Sequence, residues 1–472
     1  MTTPFARFDD RARRSSWLVW GTAVGVYFLA LLHRASLGVA GPDAVARLDI
    51  SATELGAFVM VQLGLYALMQ VPAGLAIDRW GARRVLLVAT LVMGSAQILF
   101  AVATSYPVAL AARALLGVGD AAVFIAVLRI AAMWFPHRQY ALLTMATSLV
   151  GAAGNLAATV PLVVVLDEFG WTRTFAITGA TSLVYGLLLL RPAVSAPFRE
   201  TAPSASEETG AEPSEGDPPA RPAPRKPSVR ETVANVPASW RRPETRLGFW
   251  THQATMVTGV VVSLVWGFPY LTEGLGYSSA AAASQLSVYV VALLVFSLFI
   301  GPLAGRKPTW RTPMGLLAAL ACAGAIATLA LWPGGRPPGS VVTAVFVIIA
   351  MGGPASQIGF HLARDYNPAV RISTATGLVN AGGFTGAMVT AIVVGVVLDI
   401  SSGGTAATLT DYRWALGAMA LLAVGSTVAM FGSLLGVRTL VLERMARGER
   451  VIVRVTEHWW DRLYRRVRPP GR

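Results

Sequence analysis

The sequence predicts an all-α integral membrane protein with twelve membrane-spanning helices in two halves of six. Three observations carry that prediction. First, 54% of the 472 residues are hydrophobic and only 14% are charged, with a mean hydropathy of +0.57, whereas a soluble domain is about a quarter charged. Second, apolar runs long enough to cross ~30 Å of hydrocarbon recur along the chain. Third, the loop after the second run has a degraded copy after the eighth.

With a window of ~19 residues, the first six spans fall at 16–40, 54–77, 84–104, 106–134, 140–166 and 172–190. The stretch MTTPFARFDDRARRSS runs straight into WLVWGTAVGVYFLALL. A cleaved signal peptide would have a shorter apolar run and a small-residue cleavage site, so an uncleaved first span is expected. Residues 1–190 are therefore the N-terminal half.

Residues 191–247 include TAPSASEETGAEPSEGDPPARPAPRKPSVR, rich in Pro, Ser, Glu and Ala. Such a composition buries too little apolar surface to offset its ordering entropy. A largely flexible cytoplasmic linker is expected, with a short interfacial helix near VRETVANV.

The second six spans fall at 248–271, 281–304, 313–332, 339–363, 372–398 and 411–436, making 248–436 the C-terminal half. The basic tail, 437–472, ends in VIVRVTEHWWDRLYRRVRPPGR. Arginine beside aromatics suits a membrane surface; a disordered basic tail is an equal alternative.

Orientation follows from Lys and Arg in the short loops. With the N-terminus cytoplasmic, that side holds Arg7, Arg11, Arg13, Arg14, Arg79, Arg83, Arg84, Arg138, Arg306, Lys307, Arg311, Arg364 and Arg371. The other side holds only Arg47, Arg173, Arg336 and Arg413. Both termini and the linker are expected in the cytoplasm of a bacterial-type plasma membrane. The net charge of +14 then reflects loop arginines near anionic lipid, and no nucleic acid is expected as a partner.

The two similar loops support a duplicated fold. GLAIDRWGARR runs from Gly74 to Arg84 and GPLAGRKPTWR from Gly301 to Arg311. Aligned without gaps, Gly74 matches Gly301, Arg79 matches Arg306 and Arg84 matches Arg311, while Asp78 meets Gly305. GLAIDRWGARR resembles the signature loop of the major facilitator superfamily, G-x-L-A-D-R-x-G-R-[RK]. Gly74, Asp78, Arg79, Gly81 and Arg83 match it; Ala76 and Ala82 depart. The resemblance implies the major facilitator fold, with Asp78 capping a helix of the other half, at RISTATG, and helping to close a cytoplasmic gate. A carboxylate near a helix N-terminus gains roughly 0.3–1 kcal/mol. The alternative is a topology signal only.

QVPAGLAIDRWGARRVLL, RALLGVGDAAVFIAVLRIAAMWFP and GWTRTFAITGA resemble the organic anion:cation symporter branch of that superfamily. That branch carries carboxylates with protons. It has a D-R pair in span one, and in span four an arginine followed seven residues later by a glutamate. Here His33–Arg34 stands at the pair, and Arg113 and Asp120 keep the spacing with Asp for Glu.

A charge at mid-bilayer costs at least ~2.5–3.5 kcal/mol, so it normally faces a cavity or a partner. Positions seven apart on a helix return to within ~20°, so Arg113 and Asp120 share a face. Two roles are open to them: a buried structural ion pair, or a transport site. Arg129, turned by ~160° from Arg113, is expected to be structural, a candidate partner for Asp78. Arg34 and Arg113 against the single deep acid Asp120 leave surplus positive charge, which attracts an anion. Arginine also offers a forked match to carboxylate or phosphate. Asp120 is then the proton carrier, tuned by Arg113. His33 either titrates or is a packed polar group. Tyr27 shares the face of Arg34, and Asn155 and Asn380 are candidate hydrogen-bond donors to the cargo, with a satisfied interhelical contact as the alternative role of either.

Absences narrow the field. Cys322 alone makes neither an internal disulfide nor a metal cluster. No Walker loop is present, and neither a catalytic triad nor a metal-ligand cluster is visible. Span five, TSLVGAAGNLAATVPLVVV, has no Gly-Pro step of the kind found in many drug exporters. The expectation is a monomeric secondary transporter, not an enzyme, without metal or cofactor. Its partners would be a small organic anion, protons and membrane lipid, moved by alternating access. An exporter of amphipathic compounds on the same fold is one alternative. A transport-inactive sensor or scaffold is another.

Overall fold

The computed structural model describes residues 10–50, 52–136, 139–158, 160–190, 229–403, 406–449, 451 and 455–462. Most of the segment expected as linker, and the last ten residues of the tail, lie outside these. Among the described residues, twelve helices are long and apolar enough to cross a membrane.

The first half comprises α1 (Asp10–Leu48), α2 (Ala52–Trp80), α3 (Ala82–Val102), α4 (Tyr106–Trp134), α5 (Tyr140–Ala157) and α6 (Val160–Gly186). The fifth span, expected unbroken over 140–166, is interrupted after Ala157 and resumes at Val160. Pro161 follows the break, and proline has no N–H to continue an α-helical ladder. Gly170 then turns the chain with φ 70°, ψ 172°, a conformation glycine adopts at little steric cost.

A helix, α7 (Val229–Trp240), occupies the end of the expected linker, and span seven begins at Pro243 rather than 248. It runs as α8 (Pro243–Val261) and continues through π-helical turns at Val262–Trp266 and Tyr270–Gly274. Next come α9 (Ser279–Arg306) and α10 (Arg311–Leu331). Span ten is built of three pieces: α11 (Gly339–Ala350), α12 (Gly352–Ser356) and α13 (Ile358–Tyr366). The last two helices are α14 (Ile372–Ser402) and α15 (Leu409–Ala446). α15 starts with a capping box between Thr408 and Asp411 and runs on to Ala446, ten residues past the expected end of the span.

Each half has its own apolar core. Outward faces stay apolar, with Leu68, Leu264, Leu331 and Leu421 each more than 70% exposed, as suits lipid contact. α4 is the most buried span, because it packs against α1, α2 and α3 and faces the other half. A smaller cluster joins the halves: Phe124 and Leu128 of α4 with Phe360 and Ala363 of α13 and Ala375 and Val379 of α14.

Candidate functional site

The polar centre lies where α1, α2, α4 and α14 meet. Arg34 Nε donates to Asp120 Oδ2 at 2.7 Å, and the Arg34 guanidinium lies 4.4 Å from the centre of the Tyr66 ring. Asn380 Nδ2 donates to the Tyr66 hydroxyl at 3.1 Å and to Gln70 Oε1 at 2.6 Å. A chain of side chains therefore runs Asp120–Arg34–Tyr66–Asn380, from the first half into the second. Tyr27 flanks it, with its ring 5.3 Å from Phe124. Arg34 Nη2 and Asp120 Oδ1 are buried without a hydrogen-bond partner, so each member of the pair keeps one unused polar atom.

Arg113 does not pair with Asp120, which corrects the expectation that it tunes that acid directly. Seven residues of helix separate them by about 10 Å, while Arg34 reaches Asp120 from α1 at its own level. Arg113 is fully buried. Its guanidinium sits 4.2 Å from the Phe100 ring centre, and Nη1 donates to the His33 carbonyl at 3.2 Å. His33 Nε2 lies 2.6 Å from Ser182 Oγ, turned to α6 and not to Asp120. Asn155 is exposed and joins none of these contacts. It shares a face of α5 with Ser148, seven residues earlier. Ser148 lines a cavity of about 220 Å³ between α5, α9 and α12–α13, with Met145, Ser297, Gln357 and His361.

Asp78 stands at the N-terminus of α14. Its carboxylate accepts from Ser373 N at 3.1 Å, Thr374 N at 2.7 Å and Thr374 Oγ1 at 2.6 Å. A carboxylate there meets unpaired N–H groups and the positive end of the helix dipole. Arg129 lies close enough for its charge to act on Asp78. Gly74 permits this contact, since a Cβ on it would come within 2.5 Å of Ser373 O. Gly81 is outside the contact and has φ 87°, closing the tight corner into α3. Arg79 is half-buried in the last turn of α2. Arg83, the last matching residue of the loop, bonds the end of span six. It donates to the carbonyls of Leu189 and Leu190 in its own half, because the corner at Gly81 turns α3 back toward the end of span six.

Arg364, expected only as a loop charge, supplies the reciprocal contact. From α13 its Nη2 donates to Ala132 O at 3.2 Å and Phe135 O at 3.3 Å at the end of α4. A cation thus sits on a helix C-terminus and an anion on a helix N-terminus, both matching the dipole. The joins between the halves run from Tyr66 and Phe384, 4.6 Å apart at mid-helix, down to Asp78 and Arg364.

Sequence reasoning passed over Gln62, Tyr66 and Gln70. A signal was available: Gln62, Tyr66, Gln70, Gly74 and Asp78 recur every four residues along α2, a polar and small stripe on an apolar helix.

A family model described as Major Facilitator Superfamily matches residues 23–391. The probable sulfoacetate transporter SauU of Cupriavidus necator is 27% identical over 171 residues. That match spans 36% of this chain and 40% of the length of SauU. The D-galactonate transporter of Escherichia coli O6:H1 is 24% identical over 378 residues, covering 78% of this chain and 85% of that protein. Among solved structures, the proton:xylose symporter XylE bound to 6-bromo-6-deoxy-D-glucose superposes with a TM-score of 0.63 at 14% identity. It covers 89% of this chain and 96% of XylE, a likeness of fold.

Proposed function

The chain belongs to the major facilitator superfamily, and from that premise we propose that it moves a small organic anion, of carboxylate type, together with protons by alternating access. The observation that carries the reading is the Arg34–Asp120 pair at the bundle centre. Asp120 occupies the guanidinium edge that a carboxylate cargo would need. A proton on Asp120 removes its negative charge and frees Arg34 to bind the cargo in forked geometry. Proton and anion then load together, because one releases the group that binds the other. Tyr66 and Asn380 supply hydrogen bonds at the boundary of the halves, and Tyr27 borders the same space. The names of the relatives, which include sulfoacetate and D-galactonate transporters, agree with an anionic cargo.

The joined end of the bundle carries Asp78 and the arginine-rich loops, so the positive-inside bias assigns it to the cytoplasm. The structure then corresponds to a state closed toward the cytoplasm, with Asp78 and Arg364 as reciprocal locks. Both termini and the segment around α7 belong on that side, in a bacterial-type inner membrane.

The test is uptake into proteoliposomes under an imposed pH gradient. Labelled carboxylates should accumulate and be exchanged by unlabelled carboxylates. Uptake of neutral sugars or lipophilic cations, with carboxylates inert, would reject the reading.

A further inference from the structure

His252 on α8 is a buried titratable group that the mechanism above leaves unused. It is 2% exposed. Its ring lies 4.7 Å from that of Phe360. Nδ1 is 3.2 Å from Ser356 O. A carbonyl oxygen only accepts, so Nδ1 carries the hydrogen. In a neutral ring Nε2 is then a bare acceptor, and it has no hydrogen-bond partner.

The Nε2 edge is pressed against α14. A Cβ on Gly383 would come within 2.5 Å of His252 Cδ2 and 2.6 Å of Nε2. One turn away on α14 stands Asn380. Asn380 spends its Nδ2 on Tyr66 and Gln70, so its oxygen is what remains for His252. Nδ1 already has its acceptor in Ser356 O, and Asn380 Oδ1, one turn from Gly383, is the candidate acceptor for a proton on Nε2. A neutral imidazole satisfies one of them; an imidazolium satisfies both.

The surroundings add no competing charge among the described residues. α12 and α13 present Ser356 O and Phe360, and α14 presents Asn380 and Gly383. α10 and α15 meet the neighbouring positions, Gly315 at Thr251 and Ser426 at Gln253. His361 on α13 is turned to Tyr140. The titratable groups in line with the ring are Tyr66, through Asn380, and behind it Arg34 and Asp120.

We propose that His252 is a second proton site of the transport cycle, which in its charged form bridges Ser356 O and Asn380 Oδ1. This rests on the proton-coupled reading above. The second bond polarises the Asn380 amide and strengthens its bonds to Tyr66 and Gln70. The charge state of the second half is thereby tied to the Arg34–Asp120 pair of the first.

The experiment measures steady-state accumulation of a labelled carboxylate against the imposed pH difference in proteoliposomes. Each coupled proton contributes about tenfold accumulation per pH unit. His252→Gln should lower the slope by one such tenfold step and keep exchange, whereas Asp120→Asn should remove uphill uptake. A slope equal to that of the unmodified protein would overturn the role of His252 alone. A slope of zero in the unmodified protein would overturn proton coupling and His252 with it. If His252→Gln does not fold, hydrogen–deuterium exchange at the histidine C2 position reads the same question on the unmodified protein. Exchange at His252 should follow a titration whose midpoint moves on Asp120→Asn. No titration there, or a midpoint indifferent to Asp120, would overturn the proposal.

Discussion

Arg34 and Asp120, eighty-six residues apart in the chain, share one hydrogen bond of 2.7 Å between α1 and α4. Each keeps a buried polar atom with no partner. The pair is thus complete enough to be stable and open enough to be exchanged for another pairing.

Asp120→Asn mimics the protonated acid. Uphill uptake driven by pH should disappear, while exchange of labelled for unlabelled cargo survives, as counterflow would show. If Asp120 is only a structural partner, the variant leaves Arg34 uncompensated at a cost of about 3 kcal/mol, and folded yield falls. Arg34→Leu in the same protein should then restore yield.

Arg34→Lys keeps the charge and loses the planar fork. Anion affinity should fall about tenfold or more, with looser selectivity among carboxylates, read by competition for uptake. Arg34→Ala should abolish anion binding. Normal binding in Arg34→Ala would remove Arg34 from the site.

Gly74→Ala places a methyl group 2.5 Å from Ser373 O. Overpacking of this kind costs about 1–3 kcal/mol, here charged to the closed state only. A cysteine in place of Ser148, on a Cys322→Ala background, should react faster with a thiol reagent applied from the Asp78 side. Unchanged labelling would show that this seam does not close that end.

Asp461 lies beyond the last span, and Arg438 grips it with two bonds of 2.8 Å. The Arg438 hydrogen bonds hold its carboxyl below the usual carboxylate range. Stabilisation from this contact is therefore full above about pH 4, where an unfolded Asp is ionised. It is lost as pH falls through the lower folded value. Asp461→Asn should melt about 1–2 °C lower at neutral pH, and the gap should close in acid. A constant gap across pH would assign the effect to packing.

The twelve spans, the duplicated halves and the arginine-rich end were legible in the sequence, because hydropathy, loop charge and repeat spacing are local properties of the chain. Asp78 was legible for the same reason, as part of one short loop. Asp120 was found as a deep acid, but its partner was not. The seven-residue step to Arg113 fixes a common face of α4 and says nothing about which side chain a neighbouring helix presents there. Arg34 won that place because α1 crosses α4 at the level of Asp120, while Arg113 found the Phe100 ring and the His33 carbonyl instead. Arg364 and Arg83 make the same point with opposite outcomes. Both are arginines at the same end of the bundle, yet Arg364 bonds α4 of the other half and Arg83 bonds carbonyls at the end of span six in its own half. Charge alone could not separate them. Which helix end lies within a side chain's reach is decided only when the two halves pack.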